Sequence, residues 1–199
     1  PYRVNPLIGA WNLQEQLVVA RDAFDCVTFI ETVLAEYLSA TKGTPYEAEL
    51  RQLRYRDGKV AWDARLHYFS DWLETNASRG VLSNVFPQMA ETRRTLSLVE
   101  RYPSLSVGLR FLPLPEFASH NGLLMSGDIV AFGTARQNLD VSHTGFLASS
   151  ASGAKTLIHA TKTLGKVVEE PIDDFLARFG ECPGLLIYRL LPSSKAAHQ

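Results

Sequence analysis

The hydrophobic period of this 199-residue chain changes near residue 127, and that change restricts the folds open to it. Before it, apolar residues recur at helical spacing. Phe29, Ile30, Val33, Leu34 and Leu38 mark one face of a helix predicted over 25–41, which Gly43 and Pro45 stop. Residues 46–55 predict a charged amphipathic helix, and 64–76 a third helix or helical loop. Beyond residue 127, short apolar runs at 128–132, 141–148, 156–161, 166–170 and 185–191 are separated by Gly, Ser, Asn or Asp and read as an antiparallel meander. Pro171 opens a short helix over 171–179. Helices first and sheet second make an α+β order, with the 25–41 helix expected against one sheet face. Residues 1–24 read as irregular, broken by Pro6, Gly9 and Asn12, and 93–115 gives no clear pattern.

The chain is 46% hydrophobic and 21% charged with net charge -1, which predicts one globular domain over residues 1–199. No basic excess points to nucleic acid, and no apolar run approaches the roughly 18 residues that span a bilayer. The chain begins at Pro1 rather than methionine, so any leader is expected to have been removed. Neither repeats nor low-complexity segments appear.

Two cysteines are too few for a disulfide framework. Cys26 falls in the first turn of the 25–41 helix, within Asp25-Cys26-Val27-Thr28-Phe29-Ile30-Glu31. There the helix dipole and free backbone N–H groups favour thiolate over thiol and can serve an oxyanion. A bridge to Cys182, or two inert buried thiols, is the structural alternative.

A thiol nucleophile needs a base, and the base an orienting partner. His143 begins one predicted strand and His159 sits in the next, where antiparallel neighbours can bring two rings together. His159 also fits a core position, His143 a surface turn, and Asp140 could partner His143 in its place. His67 lies in an aromatic stretch, His120 in a loop and His198 in the C-terminal tail. No metal is expected: no helical His pair, Cys-x-x-Cys pair, phosphate loop or Gly-x-Ser-x-Gly elbow is present.

Taken in order, Phe24-Asp25-Cys26, Gly127-Asp128-Ile129-Val130, His143-Thr144-Gly145-Phe146 and Ile158-His159-Ala160 resemble the NlpC-type superfamily of papain-like cell-wall cysteine peptidases and amidases. The Val27–Glu31 tail of the cysteine motif, Arg54-Tyr55-Arg56-Asp57-Gly58 and Arg65–Trp72 resemble one branch, the N-acetylmuramoyl-L-alanine amidase-like family, from about residue 1 to residue 190. The resemblance implies a papain-like α+β fold with N-terminal helices packed on a C-terminal antiparallel sheet. It implies Cys26 as nucleophile, His143 as base and then acid, and His159 as the orienting third member. Tyr2 is expected to line the oxyanion region. Asp25, His67, Tyr68, Asp71, Trp72 and Ser142 are the expected substrate-binding residues, with Tyr68 and Trp72 offering flat apolar surface. The implied reaction cuts the amide between N-acetylmuramic acid (free or anhydro) and L-alanine in peptidoglycan fragments, without cofactor. An endopeptidase cutting within the stem peptide is the alternative. Muropeptides are the expected partners, and the expected location is periplasmic or otherwise extracytoplasmic.

Overall fold

A computed structural model describes residues 1–150 and 153–192. His198 lies outside the described residues.

The predicted N-terminal helices form. Helix α1 (Cys26–Lys42) starts on a capping box: Thr28 N–H donates to Asp25 Oδ1 at 2.8 Å, and Asp25 N–H to Thr28 Oγ1 at 3.0 Å. It ends at Gly43, whose φ of 70° suits a residue without a Cβ. Helix α2 (Tyr46–Arg54) follows, and α3 (Phe69–Ser78) starts after a 3-10 turn at 62–64, later than the sequence pattern suggests. Strand β1 (Ile8–Ala10) pairs with β2 (Leu13–Gln16) inside the stretch expected to be irregular. The indistinct 93–115 region largely contains a second hairpin, β4 (Thr92–Leu96) with β5 (Leu105–Leu109), after the short β3 (Leu82–Asn84). Both hairpins escaped the pattern because few of their residues are buried, so alternation is blurred.

The remaining strands lie close to their predicted positions: β6 (Ile129–Gly133), β7 (Val141–Ser149), β8 (Lys155–Thr161), β9 (Lys166–Pro171) and β10 (Leu185–Leu190). Helix α4 (Ile172–Phe179) separates the last two. The main sheet has the order β3-β10-β6-β7-β8-β9, with every pair antiparallel. It is therefore a meander over β6–β9, after which β10 returns across it to pair with β6.

Alternation along β6 divides the core. Ile129 and Ala131 face a layer made by α1, α2 and α3 with Ile30, Leu34, Leu50 and Leu73. Val130 and Phe132 face the opposite layer, where Ile172 and Phe175 of α4 pack. The α1 helix lies on β7 and β8, as the amphipathic pattern predicted. The site forms where its N-terminus meets β7.

Candidate active site

Cys26 is the first residue of α1 and half-buried. The β7–β8 ladder runs from Ser149↔Lys155 to Phe146↔Ile158. Beyond it, the backbone N–H groups of Thr144, Val27 and Cys26 lie close enough to the Cys26 sulfur to favour its charged form. The chain position next to His143 thus adjoins the thiol. Gly145 permits the close strand approach: a Cβ there would stand 2.8 Å from the Ile158 carbonyl oxygen and 2.9 Å from His159 Cβ.

His143 Nε2 lies 2.6 Å from His159 Nδ1. The other nitrogen of His159, Nε2, lies 2.8 Å from Glu170 Oε1, and the second Glu170 oxygen takes a hydrogen bond from Arg178. Asp140 is not the partner of His143; its Oδ2 accepts the Ser70 N–H at the start of α3 at 2.7 Å. Sequence reasoning missed Glu170. Its signal was the alternation of β9: Val168 pairs with His159, so Glu170, two residues on, shares that face diagonally.

Apolar rings surround the imidazoles. Phe175 stacks on His143 at 5.3 Å and meets His159 edge-on at 5.0 Å, with Phe132 and Phe179 beside them. Burial first, then the neighbouring His159, pushes the His143 pKa down to about 3, against an opposing pull from Glu170. Burial likewise lowers His159, with Glu170 opposing. Burial would raise Glu170, but hydrogen bonds from Arg178 and His159 outweigh it and hold the carboxyl below its usual value.

The ionisation of Cys26 corrects the sequence expectation. Burial, followed by the Asp25 carboxylate, pushes the thiol up to about 12, and the three N–H groups only partly offset this. A helix N-terminus favours thiolate in water, but the desolvation of this sulfur is the larger effect. Cys26 and His143 therefore rest as neutral thiol and neutral imidazole.

Tyr2 reaches the site through backbone pairing. Its N–H donates to the Gly165 carbonyl at 2.8 Å, and a parallel bridge joins it to Phe24 beside Asp25 and Cys26. Burial, then Cys26 and Asp25, raises its hydroxyl pKa, which places the phenol in their field. Ser142 is exposed on β7 next to His143.

Several expected substrate contacts serve the architecture. Trp72 is 0% exposed and stacks on Phe69 at 5.1 Å in the core, so it offers no face to a ligand. Tyr68 is 2% exposed, and its hydroxyl accepts the Val99 N–H at 3.0 Å. The resemblance placed both rings on the substrate surface; the packing of α3 against the core covers them instead. The Asp25 carboxylate is occupied by the α1 cap, and Asp71 pairs with Arg56 at 2.7 Å beside a cavity of about 320 Å³. His67 is half-buried, its Nε2 at 2.8 Å from the Trp62 carbonyl and its ring against Tyr102 at 4.6 Å; burial lowers its pKa to about 4. His120 bonds the Glu116 carbonyl within its own loop.

Both cysteines are free thiols. Cys182 packs with the α4 layer, its thiol donating to the Gly184 carbonyl at 3.2 Å. The alternative bridge is thus not formed. Among the described residues, no group of three or more His, Cys, Asp or Glu side chains is placed to hold a metal ion. Nor is any described helix long and apolar enough to cross a membrane.

The family model described as AmiA-like, N-acetylmuramoyl-L-alanine amidase-like, matches residues 1–180. The chain belongs to this family. No curated protein matches it. Among solved structures, an N-acetylmuramoyl-L-alanine amidase from Bacteroides uniformis is 27% identical with a TM-score of 0.81, over 96% of this chain and 94% of that one. A protein named as a xylanase candidate from Bacteroides fragilis is 26% identical with a TM-score of 0.82, over 96% and 95%. A Legionella pneumophila protein shares the fold at 20% identity with a TM-score of 0.74, over 86% and 77%.

Proposed function

We propose that this member of the amidase-like family is a papain-like cysteine amidase acting on peptidoglycan fragments outside the cytoplasm. The observation that carries the reading is the file His143–His159–Glu170 on adjacent strands, with the backbone of Thr144, next to its first member, beside Cys26. A general base must be oriented from behind, and His159 with Glu170 supplies that for His143.

In this mechanism Cys26 attacks the amide carbonyl as a thiol and loses its proton to His143 during attack. The neutral resting pair suits general-base catalysis, since an imidazole already protonated could not accept the proton. The oxyanion forms at the helix start, where the backbone N–H of Cys26 serves as a donor and the Tyr2 phenol stands in the same field. His143 then protonates the leaving nitrogen, and a water molecule deprotonated by His143 hydrolyses the thioester.

The bond assigned is the amide between the muramyl lactyl group and L-alanine. Family membership and the named activity of the Bacteroides uniformis neighbour support that choice. The xylanase name of another neighbour finds less support in the chemistry. Glycoside hydrolysis ordinarily needs two carboxyl groups about 5–9.5 Å apart across a sugar bond. Here the one carboxylate in the file, Glu170, is engaged by His159 and Arg178.

The test is product identity from a defined muropeptide. The reading expects intact sugar and intact stem peptide; a shortened peptide still attached to the sugar would transfer it to an endopeptidase.

A further inference from the structure

We propose that Glu170 is a positioning residue whose acceptor-only carboxylate sets the direction of every proton in the file, leaving Nδ1 of His143 as the basic lone pair. The inference deepens the cysteine-amidase reading and rests on it for the identity of the base.

The argument follows from hydrogen-bond valence. An ionised carboxylate can only accept, and a neutral imidazole carries one N–H and one lone pair. Glu170 is held ionised by Arg178, a donor with no acceptor capacity. His159 Nε2, 2.8 Å from Glu170, must therefore carry the hydrogen. Its Nδ1 is then a lone pair and must accept from His143 Nε2 at 2.6 Å. The remaining nitrogen of His143, Nδ1, is left without a hydrogen. One carboxylate thus fixes two tautomers in series.

Among the described residues, the groups in contact with this file leave Glu170 as its only anion. His159 on β8 meets His143 of β7, Glu170 of β9, and Phe175 of α4, while Arg178 of α4 contacts Glu170 from the solvent side. An amide in place of the carboxylate would change the logic without changing the shape. Glutamine can turn its NH2 toward His159 Nε2, and both rings can then reverse, placing a hydrogen on His143 Nδ1. His143 would then carry a hydrogen on the nitrogen where general-base catalysis needs a lone pair, while the fold stayed intact.

The isosteric variant Glu170→Gln in the full chain separates this role from a structural one. The first readout is alkylation of Cys26 by iodoacetamide across pH, with the label located by mass spectrometry to distinguish Cys182. The second is kcat and KM on a defined muropeptide. The expected result is a fall of about a hundredfold in both alkylation rate and kcat, with unchanged KM and unfolding temperature. Alkylation of Glu170→Gln at the wild-type rate and with the wild-type pH profile overturns the proposal. A third readout needs no variant: imidazole 15N resonances of the wild type are expected to show the hydrogen on Nε2 of both His143 and His159. A hydrogen on His143 Nδ1 in the resting protein also overturns it. If Glu170→Gln slows alkylation but the wild type leaves the muropeptide uncut, the substrate reading fails and the relay stands.

Discussion

Arg54 Nε lies 2.8 Å from Glu31 Oε2, and only 3% and 2% of the two side chains are exposed. The pair joins the last residue of α2 to α1, five residues after Cys26, and Arg54 also donates to the Val18 carbonyl at 2.8 Å. Nearby, Glu15 on β2 accepts hydrogen bonds from Tyr55 at 2.7 Å and Arg65 at 3.0 Å. The charged residues of the branch-specific motifs thus anchor the N-terminal segment and the cysteine helix to each other. They hold the frame that carries Cys26.

Removing one partner leaves an unpaired buried charge. Arg54→Met is expected to destabilise the protein by about 3–5 kcal/mol. Adding Glu31→Leu should recover a substantial part, because the orphaned carboxylate disappears with it. Urea unfolding of the two variants measures the difference, and equal losses in both would contradict the buried-pair account.

Cys26 rests as a thiol because burial and Asp25 raise it to about 12. The ultraviolet thiolate band at neutral pH is expected to be the same in the wild type and in Cys26→Ala. Hydrolysis of a muropeptide should nevertheless be lost by several orders of magnitude in Cys26→Ala. A thiolate band that vanishes with the substitution would show an ion pair at rest.

Two histidines make the fold sensitive to acid. Burial holds His67 near 4 and His143 near 3, against 6.5 for an exposed imidazole. Between those values and 6.5 the unfolded chain binds more protons than the folded one, so stability rises with pH. The contribution is fully present above 6.5 and is lost as pH falls through the window. His67→Phe should flatten the pH dependence of the unfolding temperature between about 4 and 6.5. An unchanged slope would show that His67 titrates alike in both states.

Trp72 and Tyr68 are expected to behave as core residues. Trp72→Ala should cost about 3–5 kcal/mol of stability through the cavity it leaves. Tyr68→Phe strands the Val99 N–H and should cost about 1–3 kcal/mol. Any folded fraction should keep the wild-type KM for a muropeptide. A raised KM with unchanged stability would return these rings to the substrate surface.

Gly145→Ala tests the strand approach. The added methyl would press on backbone as well as side chain, 2.8 Å from the Ile158 oxygen and 2.7 Å from Leu157 Cδ1. Separation of β7 from β8 should break the His143–His159 contact. The expected outcome is a loss of activity larger than the loss of stability implies, read by comparing kcat with denaturant midpoint.

Much of this architecture was legible in local pattern. The helical stripe from Phe29 to Leu38, the Asp25/Thr28 cap and the alternating runs after residue 127 each depend on near neighbours in the chain. His143 and His159 could be paired on paper because strand geometry brings diagonal neighbours together. The β1–β2 and β4–β5 hairpins could not be read, since largely exposed strands need no strict apolar alternation. Glu170 stayed hidden because the alternation of β9 puts it on the face of His159 only once the β8–β9 register is known.

By itself, the sequence determined where helices and strands begin and which side chains could do thiol chemistry, since propensity, capping and alternation act within a few residues. The tertiary structure alone decided what those side chains are at rest. Ionisation, tautomer and exposure depend on which groups from distant segments surround an atom and exclude water from it. That is why Cys26 is a thiol despite its helix start, Trp72 is core despite its motif, and a glutamate sets the protons of two histidines.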